Sequence, residues 1–256
     1  MRTLRVIGIG PGDPRQITVE AIDAMQAIDA FFVLDKAASR GNAAVKQSLV
    51  GLRREICDRY IRSGPAHFVE VDDPPRDRNP TDYAAEVRRW HSARTARIEA
   101  ALTEEIGPDG VAGILVWGDP ALYDSTLRIV DEIRERGQLE LKVEVIPGVT
   151  SASALTAAHQ ILANRIGEPI HVTTGRRLPD TPVGADTNQI VMLDADCTFL
   201  QTAAPTDHIW WGAYLGSPDQ LLISGTVGEV GAQIVETRAA ARERMGWIMD
   251  IYLLRT

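Results

Sequence analysis

Residues 5–14 read RVIGIGPGDP, an apolar run that breaks into three glycines, two prolines and an aspartate. The run has the length and composition of a buried strand, and the glycines mark a tight exit from it. Ile17, Ala21, Ile22, Met25 and Ile28 then recur at helical spacing before AFFVLD, residues 30–35, restores a strand. The first 35 residues therefore predict a βαβ unit. A dinucleotide fingerprint requires Gly-x-Gly-x-x-Gly, but here Asp13 stands where the third glycine belongs. A pyrophosphate wants free backbone N–H groups and no nearby anion, whereas Pro11 removes a donor and Asp13 adds charge. Dinucleotide binding is disfavoured, although Asp35 sits near the place of a ribose-binding acid and keeps a NAD-dependent dehydrogenase as the alternative.

Further along, DDPPRDRNP at 72–80 marks a loop, and a long helical stretch runs from Tyr83 to about Ile106. VAGILVW (111–117) and KVEVI (142–146) are strands. TLRIVDEIRERG is an amphipathic helix, capped by Asp124 or Ser125 and stopped by Gly137. This alternation predicts a mostly parallel sheet with helices on both faces. Beyond residue 163, short strand-like runs near 171, 190, 208, 221 and 247 predict a second domain with a mixed sheet. The expected division is 1–148 and 149–256.

The chain has 256 residues and a formal net charge of −8, which argues against a nucleic-acid partner and for a small molecule. Cys57 and Cys197 lack CxxC spacing and read as buried thiols in a reducing, cytoplasmic compartment. No apolar stretch approaches membrane-spanning length, and the five histidines have no metal-ligand spacing, so neither a membrane nor a metal is expected.

Four loops follow buried strands: GPGDP, DKAASR, WGDPALYDS and PGVTS. In a parallel sheet they emerge at one edge, where open α/β proteins bind ligands. Each also has a plain structural reading. The glycines allow tight turns, Asp13 and Asp119 precede prolines as turn formers do, Asp35 suits a cap or ion pair, and Thr150 and Ser151 are N-cap residues. Taken together, Asp13, Asp35 and Asp119 on one rim suit a cationic ligand such as a sulfonium.

GIGPGD near the N-terminus, GDP at 118–120 and PGVTSASA at 147–154 resemble the tetrapyrrole methylases, S-adenosylmethionine (SAM) dependent enzymes of corrin and sirohaem synthesis. The resemblance runs nearly end to end. It implies the class III methyltransferase fold, two α/β domains with the cofactor in the cleft between them, and a homodimer. Carried over by motif, it implies that Pro11, Trp117, Gly118, Asp119, Leu122, Thr150 and Ser151 line the cofactor, with Leu193, Ala213 and Thr226 touching the adenosine. Leu193 stands where relatives often have methionine and Asp194 where they commonly have glycine, so a plain core leucine is the competing reading. Asp35 falls where relatives place a proton acceptor; their donor lysine has no counterpart here.

Within the family, RVIGIGPGDPRQITVEAIDAM, FFVLDK and GWIMDIYLLR are most similar to the member that methylates C1 of precorrin-5 and releases acetate in cobalamin synthesis. Methylation at another corrin carbon and a non-catalytic SAM sensor remain as alternatives. A substrate rich in carboxylates calls for local cations, for which Arg62, Arg76, Arg78, Arg176 and Arg177 lie in loop-like stretches. Trp210 and Trp211 point to opposite sides of their strand, so at most one faces a macrocycle.

Overall fold

The computed structural model describes residues 1–35, 43–62, 64–75, 77, 80–182 and 187–256; for residues 34–35, 43–50 and 83–84 it describes the backbone alone. The chain divides into two compact units, one of Met1–Gly10 with Pro14–Val149, the other of Pro11–Asp13 with Thr150–Thr256.

The first unit holds β1 (Arg2–Gly8), α1 (Val19–Met25), β2 (Ala30–Asp35), α2 (Ala43–Tyr60), β3 (Phe68–Asp72), α3 (Tyr83–Glu105), β4 (Val111–Val116), α4 (Thr126–Arg136) and β5 (Leu141–Ile146). Its five strands are all parallel, in the order β3-β2-β4-β1-β5. Leu4, Val6 and Ile7 of β1 are fully buried because β1 is covered on both faces. Leu4, Val6, Ala112 and Val116 pack with Ile98 and Leu102 of α3 and Ile129 and Ile133 of α4. On the other face Ile7, Phe31 and Leu115 pack with Ala21 and Met25 of α1 and Ile56 and Cys57 of α2. Each fully buried aliphatic side chain contributes roughly 1.5–3 kcal/mol, so this three-layer core is where the stability of the unit resides. The ends follow local rules: Thr18 Oγ1 accepts the Ala21 N–H at the start of α1, and Gly137, at φ +63°, stops α4. The polar stretch after β2 contains α2 and β3, which the sequence reading left unassigned.

The second unit holds α5 (Ser151–His159), β6 (His171–Thr174), β7 (Gln189–Met192), α6 (Phe199–Thr202), β8 (His208–Ala213), β9 (Leu221–Thr226), α7 (Val227–Met245) and β10 (Asp250–Arg255). The sheet is mixed, in the order β6-β7-β10-β8-β9, with only β6 and β7 pairing in parallel. One face packs Val191, Ile209, Trp211 and Tyr252 against Phe199 of α6 and Ile234 and Ala241 of α7. The other receives α5, whose Leu155 comes so close to Gly212 that a Cβ there would lie 2.8 Å from Leu155 Cδ1.

At the carboxyl end of β7 the buried Asp194 organises the turn, accepting from the Thr198 N–H (2.7 Å), the Thr198 hydroxyl (2.8 Å) and the Tyr252 hydroxyl (2.7 Å). Burial first, and the Asp194 carboxylate second, push the Tyr252 phenol well above its ordinary range. In the first unit, burial chiefly, with Asp58 adding to it, pushes the Cys57 thiol up to about 12.

Both groups keep a proton that the unfolded chain releases, from about pH 9 for the thiol and about pH 10 for the phenol. Their contribution to stability is complete below those values and is lost progressively as pH rises from them toward the raised pKa values of the folded protein. The denaturation midpoint is therefore expected to fall between about pH 9 and 11, and Tyr252→Phe to flatten the fall above pH 10. Because Asp194 loses one donor, that variant should also be less stable at neutral pH by about 1–3 kcal/mol.

Candidate functional site

Residues that a sheet presents for chemistry are found where its connections diverge. From β1 the chain leaves toward β2 on one side of the sheet, and from the adjacent β4 it leaves toward β5 on the other. The carboxyl ends of β1 and β4 therefore form the switch point at which open α/β sheets bind ligands. Their two loops are joined there: the Gly10 N–H donates to Gly118 O (3.2 Å) and the Gly118 N–H donates to Gly10 O (2.9 Å). Gly10 and Gly118 have φ of +80° and +71°, a region that side chains disfavour. The loop after β5 closes onto the same point, for a Cβ on Gly8 would lie 2.6 Å from Gly148 N and 2.8 Å from Gly118 O.

Asp119 fixes this arrangement. Its Oδ1 accepts the Ala121 N–H (2.8 Å) and its Oδ2 the Gly148 N–H (2.8 Å), tying the loop after β4 to the loop after β5. The Leu122 N–H donates to Asp119 O (3.3 Å) across Pro120, as in a proline-led turn. The carboxylate therefore carries its charge at the switch point as an engaged group rather than as an open rim acid. Trp117 and Leu122 are half-buried beside it.

Beyond Leu122 the loop continues through Tyr123, at φ +55°, to Asp124, whose Oδ1 accepts the Thr126 N–H (2.6 Å). Ser125 caps no amide with its side chain; its Oγ accepts from Arg94 Nη1 (3.4 Å). Arg94 is 2% exposed and pairs with Asp73 (2.9 Å), which follows β3, while its guanidinium lies 4.4 Å from the Trp90 ring centroid. Arg53 of α2 donates to Leu115 O (3.0 Å). Burial lowers the pKa of both arginines, against attraction from Asp73 and Asp124 for Arg94 and from Asp124 for Arg53. Arg94 thus joins the loops after β3 and β4. The sequence reading missed Arg94 and Tyr123; no strand-end motif marks a helix-borne arginine, and a backbone angle is not visible in a residue type.

Asp35 ends β2 with Asp72 of β3 as its register partner, and its side chain lies outside the described residues. Arg76 and Arg78 also lie outside them. Arg62 follows α2 and precedes β3, which puts it at the opposite, amino edge of the sheet, where its N–H donates to Gln26 Oε1 (3.1 Å). That placement corrects its expected part in holding a substrate at the strand ends.

In the second unit, Gly12 abuts the carbonyl of Leu215 with no room for a side chain, and the neighbouring Pro11 is buried. Thr150 caps α5, its Oγ1 accepting the Ser153 N–H (3.1 Å), and Ser151 is the first helical residue. Leu193 is 68% exposed at φ +53°, so it is not a core leucine. Ala213 is fully buried at the end of β8, the edge it shares with Leu193. Thr226 lies at the other edge opposite His208, its hydroxyl donating to Glu229 Oε2 (2.8 Å). Arg176 and Arg177 occupy a 3-10 helix, Gly175–Asp180, rather than a loop; both are exposed, and Arg177 pairs with Asp180 (3.2 Å). Trp211 is buried and donates to Asp250 Oδ2 (3.0 Å), whereas Trp210 is half-buried between His208 and Arg255. An open groove of about 510 Å³ along α7, lined by Cys197, Arg238 and Arg242, includes none of the residues expected to bind. Among the described residues no three metal-ligating side chains cluster, and no helix is long and apolar enough to cross a membrane.

With this geometry in hand, comparison with known proteins is specific. The sequence profile of the Tetrapyrrole (Corrin/Porphyrin) Methylases matches residues 3–231. The chain is 45% identical to a precorrin-6A synthase [deacetylating] from Sinorhizobium sp over 255 residues, covering 100% of this chain and 95% of the relative. A crystal structure of a cobalamin synthesis related protein (CobF) from Corynebacterium diphtheriae superposes with a TM-score of 0.83 at 42% identity, covering 100% of this chain and 98% of that one. The uroporphyrin-III C-methyltransferase of Thermus thermophilus, complexed with S-adenyl homocysteine, shares the fold at a TM-score of 0.58 and 17% identity, covering 99% and 92%. This chain belongs to the tetrapyrrole (corrin/porphyrin) methylases.

Proposed function

We propose that the protein is a SAM-dependent methyltransferase that converts precorrin-5 to precorrin-6A, methylating C1 and releasing acetate, in cobalamin synthesis. The observation that carries this reading is the 45% identity to a precorrin-6A synthase [deacetylating] along the whole chain. The 29% identity to a precorrin-2 C(20)-methyltransferase covers 68% of the chain, so action at another corrin carbon is the weaker reading. We further infer a homodimer working in the cytoplasm.

The strand ends of the first unit fit a compact cation. Gly8 and Gly148 leave no space for side chains, so the floor is bare backbone, and Asp119 supplies fixed negative charge there. In this reading Trp117, Gly118, Asp119 and Leu122 hold SAM, with Pro11, Thr150, Ser151, Leu193 and Ala213; Thr226 keeps its bond to Glu229. When bound, SAM supplies an electrophilic methyl group to the substrate carbon. Asp35, at the end of β2, is the base that takes a proton from the water attacking the C1 acetyl group. A positioned base contributes about 10²- to 10⁴-fold. Arg176 on its exposed 3-10 helix, with Arg76 and Arg78, provides charge for the carboxylates of the substrate.

Incubation with precorrin-5 and methyl-labelled SAM tests the reading: label in the corrin together with acetate in equal amount is expected, and labelled corrin without acetate would reject the deacetylating reaction. Asp35→Asn should lower turnover by about 10²- to 10⁴-fold while leaving calorimetric affinity for S-adenosylhomocysteine unchanged. Asp119→Ala removes both loop ties and should weaken that affinity by about tenfold or more, at roughly 1.4 kcal/mol per factor of ten.

A further inference from the structure

Among the described residues of the first unit, Tyr123 is the sole non-glycine with φ in the left-handed region, at +55°. Such a conformation persists in a side-chain-bearing residue only where its surroundings over-determine it. Here they do. On one side the Asp119–Leu122 turn is closed by a hydrogen bond of 3.3 Å, and on the other Asp124 accepts the Thr126 N–H at 2.6 Å while Ser125 is held by Arg94. Asparagine or glycine would hold this angle at less cost, so the tyrosine is kept for its side chain. Packing does not explain it, because 46% of the residue is exposed.

The hydroxyl is distinctive in the same way. Tyr60 donates to Pro14 O, Tyr214 to Trp247 O and Tyr252 to Asp194, whereas the Tyr123 hydroxyl makes no hydrogen bond to a described residue. A donor-competent phenol thus stands on the loop that carries Trp117, Gly118 and Asp119, at the strand ends where the connections diverge.

We propose that Tyr123 is a catalytic residue whose phenolic O–H donates a hydrogen bond to the oxygen of the substrate acetyl group as water adds to its carbonyl carbon. The inference rests on the reaction proposed above. Water forms a bond to the acetyl carbon, one of its protons passes to the base, and the carbonyl π pair moves onto oxygen, where the phenol meets it. When the carbonyl re-forms, the bond from the acetyl carbon to ring carbon C1 breaks. Acetic acid leaves and ionises, and the electron pair stays on C1 for the new bond to methyl. The phenol keeps its proton throughout, as suits a group whose pKa is raised by burial. One such donor is worth roughly 10²- to 10³-fold in rate.

Tyr123→Phe and Tyr123→Asn separate the hydroxyl from the ring and the backbone. Acetate release from precorrin-5, S-adenosylhomocysteine affinity by calorimetry, and melting temperature are measured for each. Tyr123→Phe should lose about 10²-fold or more in acetate release, with affinity and melting temperature as in the wild type. Tyr123→Asn should lose activity to the same degree yet melt roughly 2–4 °C higher, since asparagine accepts the left-handed backbone. Wild-type acetate release by Tyr123→Phe overturns the inference alone, and so does a loss of affinity that matches the loss of rate. A wild-type protein that binds S-adenosylhomocysteine but frees no acetate overturns the proposed reaction and this inference together.

Discussion

Three stretches of backbone meet at the ends of β1, β4 and β5, and their mutual approach governs the rest of the first unit. Gly8 and Gly148 stand so close that neither tolerates a Cβ, while Gly118 is required for its backbone angle rather than for space. Only because the strands end this tightly can the loops after β1 and β4 exchange two hydrogen bonds and Asp119 reach the Gly148 N–H. Glycine is costly to order, and the flanking Pro11, Pro120 and Pro147 offset part of that cost by restricting the unfolded chain. The result is a rigid floor made of peptide groups, with one carboxylate built into it.

A second tie between loops is charged. The Arg94–Asp73 pair is almost wholly buried, and such pairs rarely stabilise a protein more than apolar residues of the same volume would. Their effect is on position: the guanidinium holds the loop after β3 through Asp73 and the start of α4 through Ser125, while stacking on Trp90. Along the chain, Tyr123 with its left-handed backbone falls between Gly118 and the Ser125 that Arg94 holds.

Much of this was legible from residue types. The run Arg5–Gly10, the GDP tripeptide and PGVTS each follow a buried strand, and parallel topology alone carries them to one edge. The mixed second sheet was legible from its short runs. What escaped had physical reasons. Helix α2 has a weakly apolar face, α7 carries Gly228 and Gly231 in its first turns, and β3 is a five-residue edge strand, so none has a strong period. Arg62 looked like the other loop arginines because local sequence does not say at which edge of a sheet a loop emerges. Asp119 read correctly as an acid at the strand ends, yet its engagement with Gly148, 29 residues away, is a tertiary fact.

The turn after β7 carries an implication for descent. Gly175 is bare because the Asp194 carboxylate fills the space its side chain would need. A lineage that replaces this aspartate with a smaller residue frees position 175 to diversify, whereas one that retains the acid is bound to glycine there. The two sites are therefore expected to change in concert, and a homologue can be assigned to either branch by reading both together.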